Sequence, residues 1–241
     1  MRVLALDTTT RAGSVALVED DQVIEARCGD PTRTHAERLP GEILALADRH
    51  HVAMSDVDVF AVASGPGSFT GLRIGIATIQ GLAFATNRPV VTVSALEALA
   101  HAVSADRAPG ALVAAWIDAH RHEVFAALYR VASARPCTPE RLQELEGPTV
   151  SDPGATLDRW SRQVVGAATW FVGDGAVLYS QTILSGQASD RYVLPTPLLA
   201  GTIGCIAGVR ARAGDTISPS AVQPLYVRRP DAEIGRDRVG R

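Results

Sequence analysis

The chain has 241 residues, which is enough for one large domain or for two of roughly 100 to 120 residues each. Its formal net charge of −3, with 20% charged residues, is typical of a globular protein and excludes a sequence-wide attraction for nucleic acid or anionic membranes. All 23 cationic side chains are arginines, so lysine Schiff-base chemistry and a P-loop lysine are also excluded.

The cysteines and the hydropathy pattern predict a reduced, cytoplasmic protein. Cys28, Cys137 and Cys205 are far apart in the sequence and odd in number, so neither a disulfide framework nor a zinc cluster is indicated. The first apolar run, residues 3–6, is too short for a signal peptide, and no run approaches the length that spans a membrane.

Apolar periodicity divides the first half of the chain into strands and helices. Thr34 and Glu37 form a predicted capping box, and the apolar run that ends at Ser64 is typical of a strand that leads into a glycine-rich loop and a long apolar helix. The predicted elements are three strands within residues 2–29, a helix over 34–51, a strand ending at 64, a helix over 71–85, a strand over 89–93 and a helix over 94–104.

The second half repeats the opening of the first. In both, an apolar strand ends in an aspartate, Asp7 or Asp118, and a polar turn leads into a second strand. The elements predicted next are a polar, proline-rich loop over 134–153, a helix over 155–162, a strand over 170–172, a helix opening at 173–176 and a helix over 197–213. We therefore predict two duplicated α/β lobes, residues 1–107 and 108–223, and a partly disordered tail over 224–241.

The loop after Ser64 has glycines at positions 65, 67 and 71. Glycines let backbone N–H groups point into a loop, and the following helix start adds partial positive charge, so a phosphate could be bound there. The spacing differs from the dinucleotide fingerprint, and a tight turn between packed elements explains it equally well. Ser68 and Thr70 are expected to bond the loop backbone or to cap the helix.

The two aspartate turns resemble the phosphate-facing hairpins of actin-like, sugar-kinase-like and Hsp70-like (ASKHA) ATPases. Thr9 stands where those proteins usually have glycine in the first hairpin, and His120 does so in the second. The resemblance implies an α/β fold of the ASKHA class, with mixed sheets flanked by helices, in which no nucleotide is required and ATP or ADP binds weakly or only at an interface. The candidate phosphate-site residues are Asp7, Thr8, Thr9, Gly65, Gly67 and Ser68.

Four segments resemble the TsaB (YeaZ) family, a subunit of the bacterial machinery that makes threonylcarbamoyladenosine in tRNA. The likeness is closest over residues 65–75, with Gly81, Leu82 and Ala83 downstream, and continues at residues 34–40, 117–129 and 224–228. It implies a non-catalytic scaffold that binds the sister subunit TsaD, with the ATPase TsaE, for transfer of threonylcarbamoyl to N6 of adenosine 37 in tRNAs that read ANN codons. Contact with tRNA would be indirect.

The resemblance also implies that the catalytic metal site of TsaD is absent here. TsaD holds a metal with two histidines four residues apart on a helix, a spacing that places both on one face. The corresponding positions of this chain are Ala95 and Leu99, which cannot bind a metal. We therefore expect neither a metal nor catalytic residues.

The helix after the glycine loop is apolar on nearly all sides and carries a stripe of small residues. Such a helix is either deep core or an interface. The resemblance favours an interface with TsaD, flanked by the helix over 34–51, and a homodimer through the same face when TsaD is missing. The predicted partner-interface residues are His35, Leu39, Gly71, Arg73, Gly75 and Thr78.

Two other functions stay open from the sequence. One is an active ATPase or small-molecule kinase on the same fold, which predicts tight binding and turnover of ATP with Mg²⁺. The other is a glycoprotease-like hydrolase, which needs a metal or a nucleophile and base held together.

Overall fold

The structure, a computed structural model, describes residues 1–164, 166–185 and 190–228. The first half contains β1 (Arg2–Asp7), β2 (Ser14–Glu19), β3 (Gln22–Cys28), α1 (His35–Arg49), β4 (Val59–Gly65), α2 (Phe69–Thr86), β5 (Val90–Ser94) and α3 (Ala95–Ser104). The second half contains β6 (Leu112–Asp118), β7 (Val124–Val131), β8 (Leu142–Ser151), α4 (Pro153–Val164), β9 (Thr169–Val172), α5 (Asp174–Leu178), α6 (Ser180–Leu184), β10 (Arg191–Leu194) and α7 (Leu199–Arg212). Within these ranges no helix combines the length and the apolar character needed to cross a membrane.

Each half forms a five-stranded mixed sheet, and the two sheets have the same topology. The order is β3-β2-β1-β4-β5 in the first and β8-β7-β6-β9-β10 in the second, so every strand has a counterpart. In each sheet the first strand is antiparallel to the second and parallel to the fourth. The central strands are buried on both faces, which explains their uninterrupted apolar sequences. The predicted fold class, two duplicated lobes with mixed sheets flanked by helices, is confirmed.

Two strands that were not predicted, β8 and β10, lie at the edges of the second sheet. β8 replaces much of the loop predicted over 134–153, and β10 precedes the last helix. Each pairs with a single neighbour and is only partly buried, so neither needs the apolar run by which a central strand is recognised. The predicted tail over 224–241 is described only as far as residue 228, and the remainder of that prediction lies outside the described residues.

Two helices, α3 and α7, lie between the sheets and tie the halves together. α7, from the second half, packs across the first sheet, and α3, from the first half, packs on β6 and against α7. A Cβ added at Gly204 would lie 2.5 Å from a methyl carbon of Val18, so a glycine is needed for α7 to approach β2. One apolar core therefore contains residues of both halves. The predicted domain limits at residues 107 and 223 stay a prediction.

Arg141, just before β8, joins the two halves from inside. It is buried, and its Nη1 donates to the carbonyl groups of Ala132 (2.9 Å) and Ala134 (3.1 Å). Its Nη2 donates to the carbonyl groups of Ser104 and Arg107, the latter at 3.0 Å. Because Ser104 ends α3, the guanidinium satisfies a helix C-terminus, where a cation is favourable.

His101, on α3, is expected to make the fold less stable in acid. Burial, followed by the charges of Arg210 and Arg141, lowers the pKa of His101 from 6.5 to about 4. The unfolded chain therefore binds the extra proton between these two values. The free energy of unfolding is therefore on the order of 3 kcal/mol higher above about pH 6.5 than at pH values below about 4, and it falls as the pH falls between these two values. His101→Leu should flatten that part of the stability curve in urea unfolding, and an unchanged slope would contradict the assignment.

Candidate functional site

A cleft of about 910 Å³ opens where the two halves meet, at the turns that follow the first strand of each sheet. Its walls come from the β1–β2 turn, the glycine loop before α2, the segment before α1, the β6–β7 turn and residues 225–228. Strand ends that meet between α/β lobes are a common ligand position. The cleft is therefore the candidate functional site.

The first predicted phosphate hairpin uses its polar atoms to hold its own turn. Asp7 is buried, and its Oδ1 accepts hydrogen bonds from the Thr9 backbone N–H (2.9 Å) and the Thr9 hydroxyl (2.6 Å). Burial raises the pKa of Asp7, and the hydrogen bonds from Thr9 oppose that change. Thr9 lines the cleft, whereas Asp7 and Thr8 lie beneath its surface. Phosphate binding by these residues stays a prediction.

Close packing explains the glycines of the loop. A Cβ at Gly67 would lie 2.6 Å from the Thr9 Cβ, and one at Gly65, where φ is +117°, would lie 2.9 Å from the Leu225 carbonyl oxygen. The Ser68 N–H donates to the Thr9 carbonyl (2.8 Å), and the Ser68 hydroxyl accepts an N–H of the first turn of α2 (3.2 Å). The predicted cap at Ser68 is confirmed. Gly67 and Ser68 line the cleft, and a phosphate cradle at the loop stays a prediction.

Four of the predicted partner-interface residues are buried against other parts of this chain, and contact with a partner stays a prediction for them. Gly71 and Gly75 face the β1–β2 turn, where added Cβ atoms would lie 2.1 Å from the Thr8 carbonyl oxygen and 2.2 Å from the Thr8 hydroxyl oxygen. Leu39 lies in the apolar core, and the side chain of His35 is buried. Gly71 and Gly75 therefore make room for the chain's own turn.

The other two predicted interface residues, Arg73 and Thr78, are less buried. The Thr78 hydroxyl donates to a carbonyl one turn earlier in α2 (2.8 Å). Arg73 is exposed, its Nε donates to the Tyr226 hydroxyl (3.2 Å), and its guanidinium carbon lies 3.9 Å from the centre of the Phe69 ring. Arg73 thus holds the Tyr226 side chain beside the glycine loop. Contact with a partner stays a prediction for Arg73 and Thr78.

His35 and Arg38 support the β1–β2 turn. The His35 Nε2 donates to the Thr10 carbonyl (3.0 Å) and its Nδ1 accepts from Arg38 Nη2 (2.8 Å), which assigns the neutral Nε2–H tautomer. Burial, followed by the charge of Arg38, lowers the pKa of His35. Arg38 is itself buried and pairs with Glu42 at 2.7 Å. Arg38 was not predicted as a site residue, because an arginine in an amphipathic helix pattern indicates a solvated face.

The second hairpin brings two carboxylates together. The Asp118 N–H donates to Asp174 Oδ1 (3.0 Å), which also accepts from the Gly175 N–H (2.8 Å), and burial raises the pKa of Asp174. His120 has a left-handed φ of +57°, the conformation that a glycine would adopt most easily, and its Nδ1 lies 3.1 Å from Asp118 Oδ2. Asp118, His120 and Asp174 line the cleft. Asp174 was not predicted for the site, since its sequence context indicated only a helix start.

Residues 224–228 run from one half of the molecule to the other. The Leu225 N–H donates to the Ser64 carbonyl near the end of β4 (2.7 Å). Arg228 Nη1 donates to the Ala119 carbonyl in the β6–β7 turn (2.8 Å). The segment therefore links the first sheet to the second hairpin and forms one wall of the cleft.

The chain offers no TsaD-like metal ligands on α3. Ala95 and Leu99, which the resemblance aligns with the two histidines of TsaD, are buried aliphatic side chains without a donor atom. Elsewhere in the described ranges, no group of three or more histidine, cysteine, aspartate or glutamate side chains is placed to hold a metal ion.

Two mixed sheets of the same topology, each presenting an aspartate hairpin to a shared cleft, define the ASKHA class of actin-like ATPase folds. The family model described as TsaD, tRNA N6-adenosine threonylcarbamoyltransferase, matches residues 30–235. The tRNA threonylcarbamoyladenosine biosynthesis protein TsaB of Haemophilus influenzae is 32% identical over 231 residues, which cover 95% of this chain and 94% of that protein. The chain belongs to the TsaB (YeaZ) family.

Two further similarities extend over nearly the whole chain. The solved structure of YeaZ from Pseudomonas aeruginosa superposes with a TM-score of 0.76 at 30% identity and covers 93% of this chain and 99% of that one. An uncharacterized protein of Mycobacterium leprae is 34% identical over 239 residues, covering 96% of this chain but 56% of its own length. The superposition includes both halves, in agreement with the two-lobed fold.

Proposed function

We propose that the chain is a non-catalytic subunit that binds TsaD, together with TsaE, and thereby supports transfer of threonylcarbamoyl to N6 of adenosine 37 in tRNAs that read ANN codons. Membership of the TsaB family and the match to the TsaD family model support this role. The observation that carries the proposal is an exposed apolar face on α1 and α2, since a scaffold subunit needs a docking surface.

We define the α1–α2 face as the exposed small and apolar side chains of these two helices, which contact each other. Leu44 is 56% exposed and Phe84 is 62% exposed, although both side chains are large and apolar. Added Cβ atoms at Gly41 and Gly81 would meet nothing within 4 Å, so a partner helix can approach both backbones closely. The exposed residues of the face are Pro40, Gly41, Leu44, Ala45, Ala77, Gly81, Phe84 and Ala85.

Reconstitution of the modification tests the role. Purified chain, TsaD and TsaE are mixed with unmodified tRNA and threonylcarbamoyl-adenylate, and modified adenosine is measured by mass spectrometry. Modification should be rapid only when all three proteins are present, and the chain alone should produce none. Modification at full rate without the chain, or by the chain alone, would contradict the proposal.

Gly81→Arg is expected to weaken TsaD binding by at least about tenfold, because a charged side chain would occupy the space that a partner helix needs. The fold should be retained, since position 81 is open to solvent. Gly81→Ala and Ser161→Arg, the latter on the exposed face of α4, are matched controls that should bind TsaD normally. Gly75 does not suit this test because Thr8 fills the position of its side chain. Unchanged affinity of Gly81→Arg, measured by titration calorimetry, would rule out this face.

We also propose that the chain forms a homodimer through the same face when TsaD is absent, since sister folds present similar surfaces. Sedimentation analysis should find a dimer for the unaltered chain and for Gly81→Ala, and a monomer for Gly81→Arg. A dimer that survives Gly81→Arg would place the self-association elsewhere.

For nucleotides, we propose that the chain requires none and that ATP or ADP binds weakly or only at an interface with a partner. The hydrogen bonds that Thr9 makes to the buried Asp7 carboxylate support this proposal, because they leave that carboxylate committed to its own turn. Calorimetry of the isolated chain with ATP and Mg²⁺ should give no appreciable heat. Tight binding with turnover would instead favour an active ATPase or small-molecule kinase.

A further inference from the structure

A second cavity, of about 340 Å³, lies between α3, α7 and the β7–β8 hairpin, and we call it the junction cavity. None of the residues that line it lines the cleft. Two of its lining side chains are deeply buried, with His101 3% exposed and Tyr129 4% exposed. Two others, Pro139 and Glu144, are exposed and form its rim. A small molecule can therefore enter at the rim and reach buried polar groups.

Several polar groups of the junction cavity have no hydrogen-bond partner within the described residues. The Ser94 hydroxyl and the His101 Nδ1 are buried without a partner. The His101 Nε2 lies 3.9 Å from Glu97 Oε1, which is too far for a hydrogen bond. The Tyr129 hydroxyl also bonds to no described residue, although its side chain is buried. Because buried polar groups are normally hydrogen-bonded, this concentration around one cavity indicates a place for a polar ligand.

The charges that line the junction cavity leave one carboxylate unbalanced. The Arg210 guanidinium is already committed, because its Nη2 donates to Glu97 Oε1 (2.7 Å) and its Nη1 donates to the Thr92 carbonyl (3.1 Å). Glu144 forms no ion pair with a described residue. Burial, followed by the charges of Glu97 and Glu144, raises the pKa of Tyr129, so that its hydroxyl keeps its proton at neutral pH. A cationic ligand would restore the balance, whereas an anion would meet the repulsion of Glu144.

We propose that the junction cavity binds a small aliphatic amine in its ammonium form. An ammonium group has three N–H donors, and the lining supplies acceptors in the Glu97 and Glu144 carboxylates and the Tyr129 oxygen. Hydrogen bonds assisted by charge are the stronger kind, so the ammonium is favoured over an alcohol of the same length. The carbon chain packs on the apolar part of the lining, which includes Leu142 and Pro148. The volume lies at the lower end of the range for ligand pockets, which favours a small molecule.

Calorimetric titration of the whole chain with butylammonium chloride, in a phosphate buffer without amines, tests the site. Saturable binding is expected, with a Kd on the order of 1 mM for so small a ligand. Butanol and butyrate have the same carbon chain without the positive charge and should bind at least about tenfold more weakly. Absence of saturable butylammonium binding, or equal affinity for butanol, would overturn the proposal.

A second ligand distinguishes a free amine from a lysine side chain of another protein. Nα-acetyl-lysine N-methylamide carries the same ammonium group on a piece of peptide backbone. It should bind more weakly than butylammonium, because the junction cavity is small and the backbone would have to remain outside the rim. Tighter binding of the lysine derivative would overturn the assignment to a free amine.

Single variants assign the binding to the junction cavity. Glu144→Gln should weaken butylammonium binding at least about tenfold and keep the fold, because the side chain is exposed at the rim. Glu140→Gln is the matched control, since Glu140 is an exposed glutamate nearby that does not line the cavity, and it should bind normally. Tyr129→Phe keeps the ring and removes the hydroxyl, so it should also weaken binding. Unchanged affinity of Glu144→Gln, or equal losses in both glutamate variants, would overturn the assignment.

Discussion

Alanine at Gly71 should destabilise the fold by about 3 kcal/mol, whereas alanine at Gly81 of the same helix should stabilise it by about 0.5 to 1 kcal/mol. A Cβ at Gly71 would lie 2.1 Å from the Thr8 carbonyl oxygen, and a backbone atom of a buried turn cannot move aside as a flexible side chain could. At Gly81 the added carbon meets nothing within 4 Å, so the substitution only restricts the unfolded chain and favours the helix.

Urea unfolding of the two variants measures this difference directly. A loss of about 3 kcal/mol is a large part of the 5 to 15 kcal/mol by which domains are usually stable, so the midpoint of Gly71→Ala should fall clearly. Similar stabilities for both variants would contradict the packing of α2 on the β1–β2 turn. The result would also distinguish Gly71, where close packing on the turn requires a glycine, from Gly81, where the helix surface is open.

Arg141→Gln should cost about 3 kcal/mol or more of folding stability. The arginine is buried and donates to carbonyl groups at the end of α3 and in the β7–β8 connection, and glutamine is too short and has too few donors to serve both. The substitution also removes the cation from a helix C-terminus. Thermal unfolding and urea unfolding should both show the loss.

Arg135→Gln is the matched control for Arg141→Gln. Arg135 lies in the same connection and is exposed, so its replacement should change stability by less than about 0.5 kcal/mol. Equal effects of the two substitutions would show that the buried guanidinium does not hold the junction between the halves.

The central strands of the fold can be predicted from local residue patterns, but the edge strands of the second sheet cannot. The buried strands β1, β4 and β6 have uninterrupted apolar sequences, and the capping box before α1 marks its start, so these elements were predicted. β8 and β10 are half-covered edge strands, and their pairing depends on strands elsewhere in the chain. The residue pattern of a single sequence therefore predicts these two strands poorly.

The candidate site was predicted in part. The two aspartate hairpins and the glycine loop do meet at one cleft, as the duplicated pattern indicated. Asp174 and Arg38 were missed because their contacts, with Asp118 and with the Ala12 carbonyl group, come from other elements. The small-residue stripe of α2 pointed to a partner, and the structure instead turns Gly71 and Gly75 toward Thr8.

The sequence by itself determined the order of the buried strands and of most helices, the duplication of the two halves and the resemblance to one family, because these depend on residue types at short, fixed spacings. Only the tertiary structure decided which face of α2 is buried and which carboxylates share the cleft. Those outcomes depend on contacts between distant parts of the chain, such as Thr8 with Gly71 and Asp118 with Asp174, and the packing of α3 and α7 between the two sheets brings many of them about.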